Sequence, residues 1–375
     1  MNVVAARLWA IELPLREPFV VAYGRWEAMP AVIVELIDEQ GRSGWGEGVP
    51  DEIVTAEHLH GTFEILRRLL LPRIVGCRVA DIEAVHARMD AVISGNTAAK
   101  AAIDLALHDL LGQAGGLPVY DLVGGRSNTE LSYPRVVPIG DPAAMAEQAA
   151  LAVGSGYASV KIKVGQGDPR LDVERVHAVS QAVADRVPIR VDANQGWQRP
   201  DVAIRAIRAM SGCGVCWVEE PIRAGDIAGL AEVRRAVEVP IMADETCHGP
   251  ESLLAIIAAR AADLVNIKLM KTGGIHPALA MCQLAHAAGL RVQIGSMVES
   301  SLGSAAGYHV ATARGGVVST ELTGPLLFSR EIGDLRYEPP LVHLSQQPGL
   351  GVSVDVEAVA ELSVAHAEVG ATAAR

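Results

Sequence analysis

"YASVKIKVGQGD", residues 157–168, sets two lysines two positions apart in a short run of Val and Ile. In an extended strand Lys161 and Lys163 project to one side and Ile162 to the other. A lysine on a buried strand normally snorkels from an edge or partners an acid. Seven further runs share the pattern of a short Val/Ile stretch that ends in polar residues: "PRVVPIG" (134–140), "PIRVDANQ" (188–195), "VCWVEEP" (215–221), "PIMADET" (240–246), "DLVNIKLM" (263–270), "RVQIGSM" (291–297) and "VVSTELTG" (317–324). Ala-rich helical stretches separate them, and the polar ends recur roughly every 24 to 29 residues, the length of one strand, loop, helix and loop. Eight parallel strands at that period close into a TIM barrel, with the functional end at the strand C-termini. A doubly wound open sheet is the alternative, but no G-x-G-x-x-G opens the first strand-to-helix turn.

Outward from the barrel the pattern changes. "AVIVELIDEQGRSGWGEGVP" (31–50) reads as a strand, a turn at Asp38 to Gly41 and a returning strand. "TAAKAAIDLALHDLLGQAGG" (97–116) places Ile103, Ala106, Leu107, Leu110 and Leu111 at helical spacing and stops at Gly115 and Gly116. Residues 1–127 therefore form an α+β unit, 128–324 the barrel, and 325–375, with the turn-rich "LRYEPPLVHLSQQPGLGVSVD" (335–355), a segment that returns to the first unit.

Half of the 375 residues are apolar, ample for a large core, and the scarcity of aromatics suits helices packed on parallel strands. A formal charge of -12, with no basic run, speaks against a nucleic-acid partner. The first residues, broken early by Arg, Glu and Pro, fit neither a signal peptide nor a membrane span, so a cytoplasmic protein is expected. Cys77, Cys213, Cys216, Cys247 and Cys282 are irregularly spaced, and the C-x-x-C at 213–216 has no second pair, so reduced thiols are expected.

The strand ends carry the chemistry. The second run ends with Lys161 and Lys163, the third with Asp192 and Asn194, the fourth with Glu219 and Glu220, the fifth with Asp244 and Glu245, and the sixth carries Lys268. Oxygen donors from three adjacent strands, without Cys or His, describe a hard divalent ion such as Mg²⁺. Asp192, Glu219 and Asp244 are the expected ligands, while Asn194, Glu220 and Glu245 are expected to support them from behind. Two lysines on one strand lower the proton affinity of one of them, so Lys161 serves as a fixed positive charge and Lys163 as a base. Lys268, four strands on, faces Lys163 across the metal, and Lys271 ranks lower because it lies past the strand. A carbon held between the two could lose its proton to one lysine and regain one from the other.

"KIKVG", "VDANQGW", "VEEPI", "MADET", "NIKLMKTGG" and "IGSMVESSLG", in this order, resemble the enolase superfamily, in its muconate lactonising enzyme subgroup and nearest the dipeptide epimerases. "LPLREPFVVAYG", "GWGEGVP", "AKAAIDLALHDLLGQ" and "PGLGV" extend the likeness over nearly the whole chain. The resemblance implies a modified (β/α)7β barrel under a capping domain built from both termini. It further implies one Mg²⁺ per subunit, with Mn²⁺ as a substitute, on Asp192, Glu219 and Asp244. Lys163 and Lys268 become the acid/base pair and Lys161 the lysine that stabilises the substrate carboxylate. The implied reaction is removal of the proton α to a carboxylate with 1,1-proton transfer, racemising or epimerising a dipeptide or amino-acid derivative. The alternative is a cycloisomerase, or a dehydratase of a cyclic amino acid such as a hydroxyproline, through the same enediolate. A homo-oligomer acting on a small carboxylate is implied.

Specificity departs from the epimerase pattern. Where those enzymes carry an Asp-x-Asp for the substrate ammonium, "STELTGP" gives Glu321 and Thr323. Where they carry an arginine in the first capping loop, "AYGRW" places Gly24, with Arg25 beside it. Tyr23, Arg25, Trp26, Asp51 and Glu52 in the capping loops, with Ser296 and Glu299 in the barrel, are the expected substrate-selecting residues. Cys247 and His248 are expected to be ordinary loop residues.

Overall fold

The computed structural model describes residues 1–370. Eight short parallel strands, β4 (Arg135–Val137), β5 (Val160–Lys163), β6 (Ile189–Asp192), β7 (Val215–Glu219), β8 (Ile241–Ala243), β9 (Leu264–Ile267), β10 (Arg291–Ile294) and β11 (Val317–Thr320), pair in strict chain order. Seven helical connections join them, making a (β/α)7β barrel, and a four-stranded antiparallel sheet stands apart from it. The barrel helices start where local chemistry dictates. Asp141 and Asp168 accept from the amides of Ala143 and Arg170, each followed by a proline in the first turn, whose missing N–H costs nothing there. Strands β5, β6 and β9 are buried at every residue, with apolar side chains packed outward under the helices and polar ones facing the axis. The barrel closes through side chains: Thr320 Oγ1 donates to the Ser132 carbonyl at 2.7 Å, and Lys161 spans from β5 to Glu321 just after β11.

In the antiparallel sheet β1 (Val3–Val21), β2 (Gly24–Asp38) and β3 (Ser43–Gly48) form the meander, turning at Asp38 to Gly41 as expected. A two-stranded ribbon, β12 (Arg336–Glu338) with β13 (Leu341–His343), follows the barrel, and β14 (Ser363–Gly370) then pairs antiparallel with β1. The Thr97–Gly115 helix packs under the meander and ends at Gly116 in the left-handed region. Strand β3 lies directly on this helix because its alternate residues are glycines. A methyl at Gly46 would stand 2.0 Å from the Ala102 carbonyl oxygen, so the other face of β3, with Trp45 and Glu47, is turned away from the helix. Among the described residues no helix is long and apolar enough to cross a membrane, and all five cysteines are free thiols.

Candidate active site

Register assembles the site. Lys163 pairs with Asp192 across β5 and β6, and Asp192 with Glu219 across β6 and β7, so these three side chains lie side by side on the inner wall. One layer below, Lys161 is level with Arg190, whose guanidinium lies 4.9 Å over the Trp217 ring. Lys161 is long enough to climb into the upper layer. Its Nζ lies 2.9 Å from Asp192, 2.8 Å from Glu219 and 2.5 Å from Glu321. Lys163 Nζ donates to Asp192 Oδ2 at 2.7 Å and to Asn194 Oδ1 at 3.1 Å. On the far side of β6, β7 and β8, Lys268 Nζ reaches Asp244 Oδ2 at 2.7 Å.

Three buried acids thus meet four buried ammonium groups, the fourth being Lys271, which donates to Asp244 Oδ1 and to the carbonyls of Asp244 and Asn266. Asn266 Nδ2 donates in turn to Glu219 Oε1 at 2.8 Å. Behind this shell, Glu220 accepts from the amides of Asp244 and Thr246, and Glu245 accepts from Asn194. These contacts fix the backbone that presents the acids. Glu220 and Asn194 both sit at positive φ, the bend that turns each chain out of its strand.

Electrostatics follow from burial against pairing. Burial opposes the Asp192 charge, yet Lys161 and Lys163 pull its pKa down to about 2. Glu219, desolvated and beside Asp192, is pushed up to about 8. Burial works against the Lys161 and Lys268 charges, but the adjacent acids hold both lysines well above the usual range.

The donor set suits a hard cation. Glu219 Oε2, Asp244 Oδ2, Glu245 Oε2 and Asn266 Oδ1 are buried oxygens that accept no hydrogen bond, and the first two are held only by the charge of a neighbouring ammonium. The acids are not already spaced as a coordination shell: among the described residues no three His, Cys, Asp or Glu side chains are.

Above the acids opens a cleft lined by Lys161, Lys163, Asn194 and Lys268 at its base, and by Tyr23, Trp26, Asp51, Ser296, Glu321 and Thr323 on its walls. Tyr23 and Trp26 meet edge to face at 5.7 Å. Asp51 is buried, and desolvation raises its pKa. Glu299 closes a turn behind the wall through Ser296 and the Met297 amide. Arg25 and Glu52 are exposed, and neither lines the cleft: Arg25 alternates with Trp26 on β2 and pairs with Glu27. His248 donates through Nε2 to the Val54 carbonyl at 2.7 Å, joining the barrel to the capping loop. Sequence reading missed the anchoring by Lys271 and Asn266, which no strand periodicity announces.

A lysine- and acid-lined barrel mouth roofed by an antiparallel capping sheet defines the class. The chain belongs to the enolase superfamily: residues 4–124 match the mandelate racemase / muconate lactonizing enzyme N-terminal domain, and residues 144–359 the enolase C-terminal domain-like family. It is an isomerase. It is 43% identical over 364 residues to the N-succinyl-L-Arg/Lys racemase of Bacillus cereus, covering 97% of this chain and 98% of that protein. The crystal structure of that racemase superposes with a TM-score of 0.97, covering 98% of this chain and 100% of the other. The dipeptide epimerase of Enterococcus faecalis, solved with Mg and the dipeptide L-Leu-L-Tyr, is 36% identical, with a TM-score of 0.91 over 94% of this chain and 100% of its own. Muconate cycloisomerase 1 of Rhodococcus opacus is 32% identical over 96% of this chain and 98% of its own.

Proposed function

We propose that this chain is a Mg²⁺-dependent racemase of N-acylated amino acids, acting by transfer of the α-proton between two lysines. The observation that carries the proposal is the placement of Lys163 and Lys268 on strands separated by three acid-bearing neighbours, with both side chains lining one cleft. A carboxylate substrate seated above the acids presents one face of its α-carbon to each lysine. One neutral amine takes the α-proton, and the opposite ammonium delivers its proton to the other face, inverting the centre. Lys161 holds the substrate carboxylate by charge, and its pairing with three acids keeps it protonated throughout. Asp192, Glu219 and Asp244 are the residues that would hold Mg²⁺, which when bound would supply Lewis-acid stabilisation of the substrate carboxylate worth several kcal/mol.

Three features support an N-acylated, basic substrate over a free dipeptide. Glu321 is already engaged by Lys161 and by Gln293 Nε2 at 3.3 Å, and Thr323 brings no charge, so a free α-ammonium lacks a ready pair of acids. Asp51 is a buried anion on the cleft wall, suited to a guanidinium or ammonium at the end of a side chain. The N-succinyl-L-Arg/Lys racemase is the relative with 43% identity. The test is incubation of N-succinyl-L-arginine, N-succinyl-L-lysine and a panel of dipeptides in D₂O. Loss of optical rotation with α-deuterium uptake is expected for the acylated basic amino acids. Product formation without exchange into recovered substrate points instead to a cycloisomerase or dehydratase.

A further inference from the structure

Glu47, from the capping sheet, is not among the residues that line the cleft, yet it is completely buried against the barrel. Its carboxylate accepts from the Ser300 amide at 2.9 Å, the Ser300 hydroxyl at 2.6 Å and the Gly303 amide at 2.8 Å, taking up the first donors of the Ser301–Ala313 helix. The residues just before that helix form the cleft wall. There Val298 sits at φ +70°, a conformation that a β-branched side chain resists. The turn is held by Val298 N donating to Ser296 Oγ at 2.7 Å and Met297 N donating to Glu299 Oε1 at 2.9 Å. Glu299 and Glu47 pack side by side on the one face of Gly303 where a side chain would stand: a methyl there would lie 2.7 Å from Glu299 Cβ and 2.8 Å from Glu47 Oε2.

We propose that Glu47 is a positioning residue that, by fastening the start of the Ser301–Ala313 helix to the capping sheet, keeps the Ser296–Glu299 turn in its strained form and so sets the shape of the substrate cleft. Strand β3 is itself fixed, because its glycine face lies on the backbone of the Thr97–Gly115 helix. Docking of the cap and shape of the cleft are therefore one equilibrium. The strain at Val298 is the element that relaxes when the clamp is lost.

The inference rests on the cleft being the substrate site, but its first readout does not. Amide hydrogen exchange of the peptide spanning residues 294–304 is measured in wild type, E47A and V298G, alongside the 98–106 peptide as a control for global unfolding. Faster exchange in E47A confined to 294–304 is expected. With N-succinyl-L-arginine, E47A is expected to raise KM about ten-fold with little change in kcat, the scale of releasing one strained residue. In the V298G background, where glycine takes the positive φ freely, E47A should raise KM less than about two-fold. Unchanged exchange at 294–304, or an E47A effect as large in the V298G background as in wild type, overturns the proposal. If no substrate turns over, the exchange result still decides it.

Discussion

Lys271 Nζ stands 2.6 Å from Asp244 Oδ1, completely buried, and also donates to the carbonyl of Asn266. This ammonium comes from the short turn Leu269–Thr272 beyond β9 and fixes one oxygen of an acid whose other oxygen faces Lys268. Both lysines hold the Asp244 carboxyl well below the usual range against the pull of burial. Removing one member of a buried pair leaves an uncompensated charge and costs about 3–5 kcal/mol. Lys271→Met should therefore lower the thermal denaturation midpoint markedly more than Lys268→Met, whose side chain makes one contact with Asp244 and faces the cleft.

Asp51 tests the substrate reading. A charge-assisted contact to a guanidinium is worth about 1.5–3 kcal/mol, so Asp51→Asn should raise KM for N-succinyl-L-arginine by about ten- to a hundred-fold. The same substitution should leave the N-acyl derivative of a neutral amino acid within a few-fold. Equal losses for both substrates would show that Asp51 is structural.

Metal removal has a directional outcome. Dialysis against a chelator should abolish racemisation, and Mg²⁺ or Mn²⁺ should restore it. Asp192→Asn, Glu219→Gln and Asp244→Asn should each resist that rescue, because each removes one anionic oxygen donor from the set proposed to hold the cation.

A pH signature sits at the joint between cap and barrel. Asp104 is buried with His86 Nε2 at 2.7 Å and His108 Nδ1 at 3.3 Å, and accepts from the Ile275 amide that starts a barrel helix. Burial opposes the His108 charge, but Asp104 raises its pKa above the usual histidine value. Burial likewise opposes Asp104, and the two histidines hold it below the carboxylate range. A raised histidine contributes fully below its unfolded value of about 6.5 and loses that contribution as pH rises through the folded value. The depressed Asp104 contributes above about 3.8 and is lost as pH falls toward its folded value. The stability difference between wild type and His108→Gln should accordingly form a plateau from about pH 4 to 6.5 and shrink on the alkaline side, as followed by urea denaturation. A difference that grows above pH 7 would contradict the pairing.

What the sequence made legible and what it hid have physical causes. Strand alternation and a fixed repeat place Lys161, Lys163, Asp192 and Glu219 on one inner wall, and the register bears that placement out. The same alternation, applied to β2, turns Arg25 outward once Trp26 faces the cleft. Residues whose work depends on contacts between distant segments gave no such signal. Glu47 meets Ser300 across 253 positions, and Asp104 meets Ile275 across 171. In the Thr97–Gly115 helix the apolar face was readable, but Asp104, His108 and Asp109 are equally buried, each partnered by another element or its own helix.

Stereochemical labelling of the two lysine variants bears most directly on the central claim. In D₂O, wild type should exchange the α-proton of both enantiomers of N-succinyl-arginine and interconvert them. Lys163→Ala and Lys268→Ala should each fail to racemise, while each still exchanges one enantiomer, the opposite one in the two variants. Racemisation at an appreciable rate by either variant, or retention of exchange with the same enantiomer in both, would contradict a two-lysine proton transfer across the α-carbon.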